Sequence, residues 1–140
     1  MTPGEITAFL AGDPPHTAKV ATVRNDGRPH VVPVWFAVDE DGSVVFTTGS
    51  ETAKGRALRR DPRLSLCVDD ERPPFSFVAI DGVAELEEDL EQVRRWAAII
   101  GGRYMGSDRA EEFGRRNGVP GELVVRVRPT RVISAADLAD

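Results

Sequence analysis

Alternation of apolar and polar positions dominates the chain. "TAKVATVR" (17–24) reads as a strand with one buried face. "PHVVPVWFAV" (29–38) reads as a second strand with Pro33 in its interior, "SVVFTT" (43–48) as a third and "RLSLCVD" (63–69) as a fourth. "FSFVAIDGVAELE" (75–87) predicts a long strand bent at Gly82, and "GELVVRVRPTRVISAADL" a last strand with a short turn. "NDGR" (25–28) and "DEDG" (39–42) supply hairpin turns, since Asp-Gly favours the positive φ that a tight turn needs.

Helical spacing interrupts this pattern. Thr2 is predicted to cap a short helix with Pro3 at its first position and Gly12 as its stop; Ile6, Phe9 and Leu10 form its apolar stripe. Ser50 is predicted to cap a helix through about Arg60, with Pro62 marking its end. Leu90, Val93, Trp96, Ala97 and Ile100 place another helix between Glu88 and about Tyr104. "SDRAEEFGRRNG" reads as a short polar helix or a loop, its mixed charges a solvated face. The sum is a mainly β (α+β) protein of about six strands, mostly hairpin-linked. It predicts a small antiparallel barrel with peripheral helices, as one domain over residues 1–140.

Composition narrows the chemistry. Cys67 is the single cysteine, and no secretory signal is visible in "MTPGEITAFLAGD", so a cytoplasmic location is expected. The formal charge of −5 argues against a nucleic-acid surface, and no apolar run is long enough to cross a membrane. His16, His30 and Cys67 are too few and too scattered for a metal site. Cys67, between apolar neighbours in a strand, reads as an inert core thiol. No nucleophile elbow or glycine-rich phosphate loop appears, so no catalytic side chain is nominated.

Two stretches stand out. "TTGSETAKGRALRRDPR" (47–63) concentrates Lys54 and four arginines behind hydroxyl residues in an acidic chain. Lys54 is one of only two lysines, and a cation near a helix start is unfavourable unless an anion sits there. Thr47, Thr48, Ser50 and Thr52 add donors, Ala53 lies in the first turn, and Arg56 and Arg60 share a helix face. A solvated basic helix explains the same residues equally well. In "HVVPVWF", Pro33 belongs on an edge or at a bulge. At a bulge, Val32, Pro33, Val34 and Trp35 would offer a flat apolar wall with free amides; the alternative is an edge strand with Trp35 in the core.

Taken in order, these segments with "FVAIDGVAEL" and "RVRPTRVISAADL" resemble the pyridoxamine 5′-phosphate oxidase-like split β-barrel family, FMN-binding-like in fold. The likeness is greatest to its branch that uses the deazaflavin F420. The resemblance implies a homodimer with a flavin-type ring in a groove between subunits. It implies that His30, Val31, Val32, Pro33, Val34 and Trp35 line the ring, with Thr47, Thr48 and Ser50 at the side chain and phosphate. Lys54, with Arg56 beside it and Ala53 in the same turn, would bind phosphate. Arg60, and less directly Arg59 and Arg63, would meet an anionic tail, and Phe75 and Phe77 would close the pocket. The expected activity is F420H2-dependent hydride transfer to a small conjugated acceptor such as an enone, quinone or tetrapyrrole. The alternatives are an FMN-dependent oxidoreductase of the same fold, or a non-catalytic F420-binding, sequestering protein. The short ending "ISAADLAD" makes pyridoxamine phosphate oxidation itself unexpected.

Overall fold

The computed structural model describes residues 1–140. Helix α1 (Pro3–Leu10) begins with a capping box: Thr2 Oγ1 accepts the Glu5 N–H, and the Glu5 carboxylate accepts the Thr2 N–H. Strands β1 (Ala18–Val23) and β2 (Pro29–Val34) form a hairpin whose turn needs Gly27 at φ 88°. The single strand expected over 29–38 is in fact two. The chain leaves β2 at Trp35 and resumes as β3 (Ala37–Val38). Then follow β4 (Val44–Gly49), α2 (Ala53–Arg60), β5 (Arg63–Asp70) and β6 (Ser76–Glu87). Helix α3 (Leu90–Met105), a 3₁₀ turn at Ser107–Arg109, α4 (Ala110–Asn117) and β7 (Glu122–Ala135) complete the chain.

Every pairing is antiparallel, in the order β2-β1-β5-β6-β7-β4-β3. The edge strands β2 and β3 are separated along the chain only by Trp35 and Phe36, so the sheet must curl to bring its two edges together. The result is a split barrel, mainly β, with helices at its periphery. The predicted strand breaks at Trp35 and Phe36, leaving β2 paired with β1 at one edge and β3 paired with β4 at the other. The break is held by α3: the Tyr104 hydroxyl accepts the Phe36 N–H at 3.2 Å, and Arg103 donates to the Phe36 carbonyl at 2.7 Å. The bend expected at Gly82 is present as a register shift between Asp81 and Gly82. A Cβ there would stand 2.8 Å from the Arg128 carbonyl oxygen.

Two apolar layers stabilise the fold. The barrel interior is filled by Val20, Phe36, Phe46, Leu66, Val78 and Val125, with Leu58 of α2 closing one end. On the outside, Val45 and Val124 pack against Val93, Trp96 and Ile100 of α3. The mixed-charge segment expected to be solvated buries Phe113 and Gly114 where α4 meets α3. Elsewhere the outward side chains stay uncovered: Val31 is 64% exposed, Val23 50% and Ile133 45%. Cys67 also lies on this outward face, half-buried and not in the core; burial pushes its thiol up, so it stays an unreactive neutral group. No helix is long and apolar enough to cross a membrane.

Candidate functional site

The free edge of β2 follows from the hairpin's hydrogen bonding. The Arg24 N–H donates to the Arg28 carbonyl at 2.8 Å. Antiparallel pairs alternate, so Thr22/His30, Val20/Val32 and Ala18/Val34 are the bonded pairs. Pro29, Val31 and Pro33 therefore turn their backbone outward. Both prolines sit where no ladder donor is required, and Val31 supplies the one N–H among these three positions. Register with β1 is unbroken from Ala18 to Val23, so Pro33 marks an edge and not a bulge. The free amides expected at Val32 and Val34 are taken up by β1. Side chains alternate too: Val31 and Pro33 are exposed, while His30, Val32 and Val34 are half-buried and face inward. His30 Nδ1 is buried without a partner.

Just past the end of β2, beside β4 and α3, the surface folds into a cavity of about 300 Å³, lined among others by Val34, Trp35, Thr47, Ile100, Asn117 and Glu122. Trp35 is not a core residue. It is 38% exposed and lies flat on Tyr104, with centroids 5.1 Å apart and planes 4° from parallel. Phe113 meets it edge-on at 5.9 Å. Tyr104 is itself anchored by donating to the His16 carbonyl at 2.6 Å. The indole is thus a rigid plate. A larger hollow of about 490 Å³, beside β1, β5 and β6, is lined by Thr22, Pro29, Arg63 and Asp81 among others, and holds none of the candidate residues above except Arg63.

Ser50 does not cap α2; Thr52 does. Thr52 Oγ1 accepts the Gly55 N–H at 3.1 Å and lies 3.0 Å from Thr48 Oγ1. An extra turn, closed by the Thr52 N–H on the Gly49 carbonyl at 3.2 Å, displaces the helix start by two residues. The Ser50 N–H instead donates to the Gly121 carbonyl at 2.8 Å. Gly55 is required here, because a Cβ would run into the Gly49 carbonyl. Thr47 and Thr48 point to opposite faces of β4, so they cannot both reach one ligand. Thr47 lines the cavity; Thr48 is buried and bonded to the cap.

The N–H groups of Ala53 and Lys54 find no acceptor. The Lys54 ammonium is half-buried without a hydrogen bond or ion pair; burial lowers its pKa, and the negative charge of Glu122 pulls it back. Glu122 is the mirror case: burial pushes its carboxyl up and Lys54 draws it down. The arginines divide. Arg59 pairs with Glu88, Arg60 donates to the Val23 carbonyl at 2.7 Å, and Arg63 pairs with Asp61 at 2.7 Å. Arg63 holds the Asp61 carboxyl down at about 2. Arg56 is exposed and pairs with nothing, so Arg56 and Arg60 share a helix face without sharing a task. Glu122, Asn117 and Tyr104 were not legible as site residues, because only strand register and helix docking bring them here.

Residues 2–135 match the family model described as pyridoxamine 5′-phosphate oxidase. The chain belongs to the pyridoxamine 5′-phosphate oxidase family. Among relatives in this family, an F420H(2)-dependent biliverdin reductase of Mycobacterium tuberculosis is 31% identical over 127 residues, covering 89% of this chain and 83% of the relative. The 5a,11a-dehydrotetracycline/5a,11a-dehydrooxytetracycline reductase of Streptomyces rimosus is 28% identical, covering 83% of this chain and 71% of the relative. Among solved structures, a conserved hypothetical protein of M. tuberculosis superposes with a TM-score of 0.84 at 28% identity, covering 98% of this chain and 86% of that one. A protein described as an F420 reductase superposes at 0.67 with 26% identity, covering 85% and 90%.

Proposed function

We propose that this protein is an F420H2-dependent reductase that passes a hydride to a small conjugated acceptor of the enone, quinone or tetrapyrrole type. The observation that carries the reading is Lys54. A half-buried ammonium with no partner, at the positive end of a helix with two open N–H groups, is costly unless an anion occupies the place. Two relatives whose names include reduction, one of them with F420H(2), add support.

The residues present fit such a cofactor. Lys54, the N–H groups of Ala53 and Lys54, and Arg56 would hold its phosphate. Trp35, Val34 and Thr47 would flank the ring, with the outward edge of β2 at Val31 and Pro33 beside it. Bound F420H2 would supply the hydride, so the chain needs no catalytic side chain of its own. The protein's part is to hold ring and acceptor together and keep water out. We place the working unit as a homodimer, because a second copy would cover the helix-free face that exposes Val23, Val31 and Ile133.

One observation favours FMN as a second reading. With Arg59, Arg60 and Arg63 engaged within the chain, the segment leaves only Lys54 and Arg56 free, which a single phosphate satisfies as well as a longer acidic tail. Titration of the purified protein with F420 and with FMN tests both. F420 is expected to bind, and Lys54→Ala to weaken it roughly 10- to 100-fold, the loss of one charge-assisted contact. Equal affinity in wild type and variant would overturn the phosphate assignment, and binding of FMN alone would replace the cofactor. Oxidation of bound F420H2 by a panel of enones and quinones separates an enzyme from a sequestering protein.

A further inference from the structure

Glu122 opens β7 opposite Gly49 of β4. Its Oε2 stands 3.0 Å from where a Cβ on Gly49 would be, so the carboxylate lies over the chain just ahead of α2. It lines the cavity that holds Trp35 and Thr47, and also a second hollow of about 240 Å³ shared with Ser50 and Arg59. No hydrogen bond or ion pair satisfies it. The charged groups around it are Lys54 and Arg59 of α2 and Glu88 ahead of α3, the last two paired with each other. Across the cavity stand Ile100 of α3, Asn117 of α4 and Thr47 of β4, none of them an acidic or basic group.

Resting on the function proposed above, we propose that Glu122 couples anion binding at Lys54 to the uptake of a proton, and so selects the charge state of the site that accepts the cofactor. In the free protein the Lys54 ammonium is what favours the ionised carboxylate, against its burial. An anion seated on Lys54 cancels that attraction and adds repulsion of its own. The carboxylate then takes a proton from water on one Oε. Its O–H faces the cavity beside Trp35, where it is a positioned donor. Affinity for the anion therefore falls as pH rises, by up to about tenfold per pH unit between the free and the bound pKa of Glu122.

The experiment is calorimetric titration of F420 into the full chain at several pH values, each in two buffers of different ionisation heat. Wild type is expected to take up as much as one proton on binding and to bind more weakly as pH rises. Glu122→Gln keeps the shape of the side chain; it is expected to take up none, to show a flatter profile, and to bind more tightly than wild type at the alkaline end. Binding by wild type without proton uptake overturns the coupling and leaves the Lys54 site standing, as does an unchanged slope in Glu122→Gln. The proton count on wild type stands whether or not the variant folds. Failure of wild type to bind F420 at any pH overturns the proposed function and the coupling with it.

Discussion

The two ends of the β7 pairing with β4 treat charge in opposite ways. Toward the middle of β7, Arg126 reaches Asp39 at 2.7 Å and lies 5.7 Å over the Trp96 ring, while Arg128 joins Glu85 at 2.6 Å and Asp41 at 3.2 Å. Every one of these charges has a partner. At the start of the same strand, Glu122 and Lys54 sit half-buried, close enough to feel each other, and neither is satisfied. Paired charges of the first kind hold β7 to the β3–β4 hairpin. Unpaired ones of the second kind cost stability, a cost that the anion proposed at Lys54 would offset.

The comparison can be broken from either side. The largest effect is expected from Arg126→Met, which strands Asp39 and removes the guanidinium from Trp96. Denaturant unfolding should show a loss of about 1–2 kcal/mol, smaller at high salt, with F420 affinity unchanged. Next comes the cap. Thr52→Ala should cost about 1 kcal/mol, and Ser50→Ala a few tenths at most, because Thr52 Oγ1 holds the Gly55 N–H and Ser50 engages the fold through its backbone. Equal losses would mean that the helix starts where sequence pattern alone puts it.

The smallest effect is a difference of sign in pH dependence. Hydrogen bonds and arginine contacts hold the Asp39, Asp41 and Glu85 carboxyls below their ordinary range, with a backbone N–H the leading cause for both aspartates and Arg128 for Glu85. Their contribution is complete above the ordinary carboxylate pKa and is lost as pH falls through the lowered folded values. Glu122 behaves in reverse. Its folded pKa is raised, so it subtracts stability as pH climbs from the ordinary value through the folded one. Thermal melts of wild type and Glu122→Gln should therefore agree at low pH and diverge above it, with the variant the more stable.

Much of this architecture was legible beforehand. Thr2 and Pro3 announced α1, because a cap and a first-turn proline act within a few residues; the reciprocal bond from Glu5 emerged only in the structure. Gly27 announced its hairpin, and Gly82 its bend. Lys54 was singled out by the rarity of lysine and its nearness to a helix start. Other readings failed where a distant partner decides. Thr52 captured the cap because Thr48 and Gly49 lie behind it. Trp35 left the core because Tyr104, far along the chain, offers it a face.

Sequence by itself determined most of the strands, the hairpin turns and the concentration of cations behind β4, because alternation and positive-φ turns act within a few residues; the break between β2 and β3 and the cap of α2 were left to distant partners. Only the tertiary structure decided which of those cations remain free. Arg59 meets Glu88 across 29 residues, Arg60 meets Val23 across 37, and Glu122 comes beside Lys54 only through the pairing of β4 with β7. Such partners are chosen by curvature and register, which require the whole sheet to be assembled.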